Sequence, residues 1–180
     1  MRHPFAFALW GALSLAPAVA GADEPGTTAF ARLGPIVIHG NEQDQFLLGA
    51  GVFDLRDETS PAGTIEYRFG RKVFVAGFSL GLVANTDGGL FGYAGLYSDL
   101  SFGKFYLTPQ IAMGGYHEGD SSDLGGVFQF RMSMDLAYRF DNGHRLGVRA
   151  AHISNGGIHD RNPGEEEILL TYSFALGPYL

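Results

Sequence analysis

The chain has 180 residues, enough for one domain, and no shift in composition marks a linker within it. Its 19 acidic and 12 basic side chains give a net charge of −7, which excludes a nucleic-acid-binding protein because phosphate contacts need clustered Lys and Arg. Cysteine is absent, so no disulfide holds the fold together. The 27 Gly, 15 Phe and 8 Tyr favour strands and tight turns over helices.

The N-terminal residues have the pattern of a secretory signal peptide. Arg2 and His3 precede an apolar run over residues 5–15, and small residues that suit a cleavage site follow it. The run is too short to span a bilayer as a helix. The predicted organisation is a signal peptide over 1–22, a periplasmic lead-in or partial strand over 23–44, and a β-barrel over 45–180.

Alternation of apolar and polar side chains with a period of two dominates the rest of the chain. In residues 128–140 every even position is large and apolar, whereas the odd positions are Gln, Arg, Ser, Asp, Ala and Arg. A soluble β-sandwich also alternates, but its polar face meets water and carries mainly Lys, Glu and Thr. Here the polar face carries Gly, Ser, Gln and opposed charges, which suits the crowded interior of a small barrel whose apolar face meets lipid.

Eight strands are predicted, and the links between them alternate strictly between short and long. The strands are placed at 45–55, 63–69, 72–84, 90–100, 104–115, 126–140, 144–155 and 166–176. The three tight links are placed at Gly70-Arg71-Lys72, Ser101-Phe102-Gly103 and Asp141-Asn142-Gly143, the last because Asn-Gly accepts a positive φ. Short periplasmic turns, longer outer loops and an even strand count are typical of outer-membrane barrels. The pattern therefore predicts an all-β, eight-stranded antiparallel transmembrane β-barrel with both termini in the periplasm.

The sequence allows two interpretations of residues 30–38, a ninth strand and a periplasmic lead-in. Pro35 and the even strand count favour the lead-in. The longest predicted outer loops lie at the opposite end of the barrel, and one of them, over 156–165, joins the last two strands.

Three polar side chains interrupt the apolar face beside that loop. The even positions of the strand over 144–155 are apolar until His152 and Ser154, which share their face, and Glu166 shares the apolar face of the next strand. Such groups facing hydrocarbon are unfavourable unless they bond to one another or take part in chemistry. A serine nucleophile needs a base within hydrogen-bond reach, and that base needs a third group to fix its tautomer. The pattern predicts acyl transfer with Ser154 as nucleophile, His152 as base and Glu166 as its partner.

The loop after Ser154 carries the candidate donors to an oxyanion. They are Asn155, Asn162 and the backbone N–H groups of Gly156 and Gly157.

The string His152-x-Ser154-Asn155-x-Gly157, followed by Asn162-x-Gly164-x-Glu166, resembles the signature of the PagL-type lipid A 3-O-deacylases of Gram-negative outer membranes. The close resemblance covers the C-terminal fifth of the chain, and the rest is similar in architecture. It implies that the histidine, serine and glutamate form a triad and that the two asparagines help to build the oxyanion site. It also implies hydrolysis of the acyl ester at the 3-position of lipid A, without a metal or other cofactor.

The resemblance also sets the expected partners and location. The substrate is the lipid A of lipopolysaccharide, the surroundings are outer-membrane lipid, and the active site faces the outer leaflet; a homodimer is left open. Two other interpretations remain. A non-catalytic barrel, structural or adhesive, would leave lipid A unaltered, and a soluble sandwich or lipocalin-like carrier would bury the apolar face of residues 128–140 in its core.

Overall fold

The computed structural model describes residues 27–56 and 59–177, so the predicted signal peptide lies outside the described residues. Within these two ranges no helix is long and apolar enough to cross a membrane. The strands of the described chain are β1 (Ala29–Leu33), β2 (Ile36–His39), β3 (Asp44–Phe53), β4 (Ser60–Val73), β5 (Ala76–Asn85), β6 (Leu90–Tyr97), β7 (Leu100–Phe102), β8 (Phe105–His117), β9 (Phe128–Arg139), β10 (Arg145–Ser154) and β11 (Glu165–Leu176).

Eight of these strands form a closed antiparallel barrel. They follow the order β3-β4-β5-β6-β8-β9-β10-β11, and β11 pairs back onto β3. Closure leaves no free edge in the barrel, which a sheet in a bilayer requires because no water is present there to satisfy unpaired N–H and C=O groups. The predicted eight-stranded all-β barrel is confirmed.

The outer wall of the barrel is apolar and the interior is polar. On β9, Met132 is 62% exposed and Leu136 is 58% exposed, whereas their chain neighbours Arg131 and Asp135 are buried. A water-soluble protein would bury the first pair and expose the second. This orientation is opposite to the one that the soluble sandwich interpretation requires, and it fits a wall that faces lipid.

The buried charges of the interior are paired with one another. Arg149 on β10 donates to Asp135 at 2.9 Å and to Glu66 at 3.0 Å. Glu66 also accepts hydrogen bonds from Arg68 at 2.6 Å and from the Tyr93 hydroxyl at 2.5 Å. Charges in a dry interior are tolerated when they are paired and hydrogen-bonded in this way. The network therefore fixes the inward face of the four strands that carry these residues, β4, β6, β9 and β10.

Residues 29–39 form a hairpin that lies outside the closed barrel. Strand β2 pairs with β7, and β7 pairs with β8, so the hairpin is hydrogen-bonded to the barrel wall through a three-residue strand. His39 at the end of β2 is buried, stacks on Tyr106 with ring centroids 4.9 Å apart, and bonds Ser101 Oγ through Nε2 at 2.8 Å.

A buried charge cluster lies where this hairpin meets the barrel. Glu42 and Asp99 each contact both Lys72 and Arg145, at distances between 2.8 and 3.1 Å. The Nδ1 atom of His39 lies 3.5 Å from Glu42 Oε1. Burial lowers the pKa of His39 to about 4, and burial together with Asp99 raises the pKa of Glu42 to about 7. The imidazole is thus neutral at physiological pH and packs beside the ion pairs of this cluster.

The tight turn predicted at Gly70-Arg71-Lys72 is wrong. Strand β4 continues to Val73 and the chain turns at residues 74–75, because a register shift between Arg68 and Lys72 keeps β4 and β5 paired beyond the glycine. Gly70 permits a close approach: a Cβ there would lie 2.1 Å from the carbonyl oxygen of Glu42.

Of the other two predicted turns, one is shifted along the chain and one is confirmed. The turn expected at Ser101-Phe102-Gly103 is centred at Gly103-Lys104, because Leu100–Phe102 forms β7. The turn at Asp141-Asn142-Gly143 is confirmed, and Gly143 has a φ of 83°.

Gly70→Ala is expected to destabilise the barrel by roughly 1–3 kcal/mol, the usual range for an overpacked contact. The measurement is the temperature at which detergent-solubilised protein loses its folded electrophoretic mobility. Gly63→Ala in the same strand is the matched control, because its Cβ would lie 3.5 Å from the nearest atom. Equal midpoints for the two variants would contradict the close-approach interpretation.

His39→Gln is expected to gain stability relative to the native protein as the pH falls. The native imidazole has a pKa of about 4 against 6.5 when unperturbed, so the unfolded chain binds the proton first and the native protein loses stability below pH 6.5. At pH 5 this loss is about 2 kcal/mol, at ~1.4 kcal/mol per pKa unit. Thermal midpoints of both proteins at pH 5 and 7.5 measure it, and a difference that stays constant between the two pH values would refute it.

Candidate active site

His152 and Glu166 meet on the outer wall because the register of β10 and β11 pairs them directly. Their side chains come together with His152 Nδ1 3.4 Å from Glu166 Oε1. Ser154 follows two residues later on the same face, half-buried and paired across the sheet with Phe130 of β9. Direct partners in an antiparallel ladder have Cβ atoms about 4.5–5.5 Å apart. Strand register alone therefore produces the contact between imidazole and carboxylate.

The glutamates on either side of Glu166 point into the barrel. Glu165 is 3% exposed and Glu167 is 0% exposed, and Glu167 pairs with Arg131 at 2.7 Å. The side chain of Glu166 is 22% exposed on the outer wall. Of these three carboxylates, only Glu166 faces the imidazole side of the sheet.

Asn155 ties the loop after Ser154 to the loop between β8 and β9. Its Nδ2 group donates to the carbonyl oxygens of Leu124 at 2.8 Å and Arg161 at 2.6 Å, and its Oδ1 accepts from Gly157 N–H at 2.9 Å. The side chain is completely buried. Both of its N–H hydrogens are thus engaged, so in this arrangement the Asn155 side chain supports the loop and has no hydrogen left for an oxyanion.

Asn162 lies beside the residue that follows Ser154. Its Oδ1 accepts a hydrogen bond from the Asn155 backbone N–H at 2.9 Å. Gly156 and Gly157 have φ values of 65° and 81°, so the chain turns away sharply after the serine. Among the predicted oxyanion donors, the Nδ2 group of Asn162 and the N–H of Gly156 make no hydrogen bond within the part of the chain that the structure describes.

Gly164 makes room for the imidazole. A Cβ at this position would lie 2.7 Å from His152 Cε1 and 3.2 Å from His152 Nε2. The glycine also has a φ of 70°, which disfavours other residues. The Cε1–Nε2 edge of the ring therefore lies close to the backbone of Gly164. Sequence reasoning included this glycine as part of a motif but could not assign it this contact.

Arg56 is a site residue that sequence reasoning missed. Its Nη2 lies 2.5 Å from Glu166 Oε1, the same oxygen that faces His152. The loop after β3 brings it there: Asp54 has a φ of 57°, donates its N–H to the Glu166 carbonyl at 3.0 Å, and accepts the Arg56 N–H at 3.2 Å. No periodic pattern extends into this loop, so the sequence held no signal for the contact.

An apolar groove on the outer wall runs up to His152. It has a volume of about 420 Å³ and crosses β8, β9 and β10, with Ile111, Met132 and Met134 in its lining. A second groove of about 360 Å³ lies on the other side of Ile111 and reaches Phe130, the cross-strand partner of Ser154. Grooves of this size and polarity suit acyl chains. Among the described residues, no three His, Asp or Glu side chains are grouped so that they could hold a metal ion.

Known proteins are similar to this chain in sequence and in fold. The family model for lipid A 3-O-deacylase (PagL) matches residues 42–175. The lipid A deacylase PagL of Bordetella bronchiseptica is 32% identical over 73 residues, which are 39% of this chain and 41% of that protein. The lipid A deacylase PagL of Pseudomonas aeruginosa is 35% identical over 65 residues, which are 36% of this chain and 37% of that protein. The aligned stretches thus span about two fifths of the length of these relatives.

A crystal structure of the outer membrane enzyme PagL has the same fold. It matches with a TM-score of 0.58 at 16% identity, over 73% of this chain and 99% of that one. The family model covers nearly the whole barrel, from the residues before β3 almost to the end of β11. The chain belongs to the PagL family of lipid A 3-O-deacylases.

Proposed function

We propose that this protein is an outer-membrane serine esterase that hydrolyses the acyl ester at the 3-position of lipid A. The observation that carries the proposal is the contact of His152 with Glu166 on the apolar outer wall, with Ser154 on the same face. Family membership supports the substrate class. A purely structural or adhesive barrel gives no reason for an imidazole, a carboxylate and a hydroxyl to share a surface that faces hydrocarbon.

The arrangement supports a two-step acyl transfer. Ser154 Oγ attacks the ester carbonyl carbon while His152 Nε2 takes the hydroxyl proton, and Glu166 holds the Nδ1–H tautomer and stabilises the imidazolium. The tetrahedral intermediate collapses as the imidazolium gives its proton to the departing sugar oxygen, which leaves an acyl-serine. Water then attacks this ester, with the same imidazole as base, and releases the fatty acid with Ser154 restored.

The developing oxyanion has two candidate donors in this geometry, the Nδ2 group of Asn162 and the backbone N–H of Gly156. Loss of one such donor typically lowers the rate on the order of 100- to 1000-fold. Asn155 and Gly157 serve the site indirectly, because their hydrogen bonds hold the loop that presents these donors. Arg56 orients Glu166 from the loop after β3.

The substrate enters from the side, along the plane of the membrane. The grooves beside His152 and Phe130 open onto the outer wall, where acyl chains of a lipid can lie while its ester reaches the serine. Ser154 stands at the end of the barrel that carries the longer loops, over residues 118–127 and 155–164, and opposite the β1–β2 hairpin. Long loops outside and short turns in the periplasm support an active site directed toward the outer leaflet.

Ser154→Ala is expected to leave a folded, heat-modifiable barrel that releases fatty acid at least on the order of 1000-fold more slowly, because the nucleophile is lost. Mass spectrometry of lipid A from cells that express each variant measures the 3-position chain. Ser173→Ala is the matched control, since this hydroxyl on β11 is buried toward the interior. Native activity in the Ser154→Ala variant would show that Ser154 is not the nucleophile.

Gly164→Ala is expected to lower the deacylation rate by about 10- to 100-fold with the barrel intact, because a displacement of the imidazole by about 1 Å can have an effect of this size. Gly88→Ala is the matched control. Gly88 also has a positive φ, of 85°, but its Cβ would lie 3.6 Å from the nearest atom, in a loop away from the imidazole. If both variants retained native rates, Gly164 would have no part in placing His152.

A further inference from the structure

The β1–β2 hairpin continues the apolar outer wall of the barrel beyond β8. Phe105 at the start of β8 pairs with Phe102 of β7, Phe102 pairs with Ile36 of β2, and Ile36 pairs with Leu33 across the hairpin. Direct cross-strand partners lie on one face of a sheet. The four side chains therefore form a single row, and they are 55%, 59%, 41% and 52% exposed in that order. We call these four side chains the hairpin row.

The hairpin row joins the lipid-facing wall without a break. Phe105 pairs with Tyr138 of β9, and Tyr138 pairs with Leu146 of β10, on the same face. The rings of Phe105 and Tyr138 are in edge contact, with centroids 5.6 Å apart. The barrel part of this row faces lipid. The hairpin part therefore continues a lipid-facing surface.

Polar contacts hold the opposite face of the hairpin against the end of the barrel. His39 donates its backbone N–H to the Asp99 carbonyl at 2.9 Å, and its ring bonds Ser101 Oγ at 2.8 Å. The chain then enters the charge cluster through Glu42. The hairpin has one anchored polar face and one free apolar face, so it cannot turn the row inward without breaking these contacts.

The edge of the sheet limits how deeply the hairpin can lie. Within the described residues β1 is the outermost strand of the sheet, and β2 is its one strand partner. Unpaired N–H and C=O groups do not occur in the hydrocarbon core, but they are readily satisfied by water at the headgroups. The row can therefore reach the boundary of the acyl chains while the outer edge of β1 stays in the interfacial layer.

We propose that the β1–β2 hairpin is a membrane-interface element, and that its partner is the phospholipid surface at the end of the barrel opposite His152. Leu33, Ile36 and Phe102 rest on the acyl-chain boundary, and the outer edge of β1 lies at the level of headgroups and water. The family model begins at residue 42, so this element lies outside the part of the chain that matches the family. The proposal is independent of the catalytic assignment.

The absence of cysteine from the sequence allows a direct measurement. Nitroxide labels are attached at single introduced cysteines in the whole protein, reconstituted in vesicles of phosphatidylethanolamine and phosphatidylglycerol. Ile36→Cys reports the hairpin row, Ile111→Cys the middle of the wall, where the native side chain is 59% exposed, and Asp160→Cys an exposed outer loop. Collision rates with oxygen, which concentrates in hydrocarbon, and with a water-soluble nickel chelate are compared by power saturation.

The label at position 36 is expected to show a several-fold higher ratio of oxygen to nickel collisions than the label at 160, and a lower ratio than the label at 111. Val37→Cys, the neighbouring residue on the opposite face, is expected to show slow collision with both reagents. Leu33→Cys gives a second reading of the row, and heat-modifiable mobility checks that each variant is folded.

Two results would overturn the proposal. If the label at 36 had the same ratio as the label at 160, the row would lie in water. If labels at 36 on different molecules broadened one another's spectra at high dilution in lipid, a second copy of the chain would cover the row instead of phospholipid.

Discussion

Buried ion pairs inside the barrel determine the outward face of the two strands that carry the site, through Arg149 on β10 and Glu167 on β11. Arg149 with Asp135 and Glu66 is stable only in the interior, because an unpaired charge facing hydrocarbon is strongly unfavourable. In a strand, inward placement of Arg149 obliges residues 152 and 154 to point outward. A slip of one residue would exchange the two faces entirely. The interior network thus places the candidate site on the wall, although it touches none of its residues.

Strand register and the loop between β10 and β11 together complete the site. Strand register brings His152 to Glu166, and this contact depends on the many backbone hydrogen bonds of a ladder that runs from Arg145 to Ile153. The loop between β10 and β11 contributes the rest, and it is held by Asn155 and by the contact of Arg161 with Asp123 at 2.5 Å. The proposed reacting groups therefore lie on strands, while the candidate oxyanion donors lie on a loop that contacts the neighbouring loop.

Period-two alternation was sufficient to predict the eight-stranded barrel, the lipid-facing wall, and the shared face of His152, Ser154 and Glu166. It could not distinguish a glycine needed for a turn from one needed for a close approach, so the turn at Gly70 was misplaced. It also could not show that β2 would pair with β7, because strand pairing is non-local. Arg56 reaches Glu166 through the positive φ of Asp54, and nothing in residue order reveals such a loop conformation.

Because the proposed triad is divided between two strands, the site does not exist in the polypeptide before those strands form. His152 and Glu166 are 14 positions apart in the chain, and the β10–β11 ladder creates their contact. Before these two strands pair, the polypeptide carries the three side chains without the proposed centre assembled. We therefore expect competence for acyl transfer only after β10 and β11 have paired.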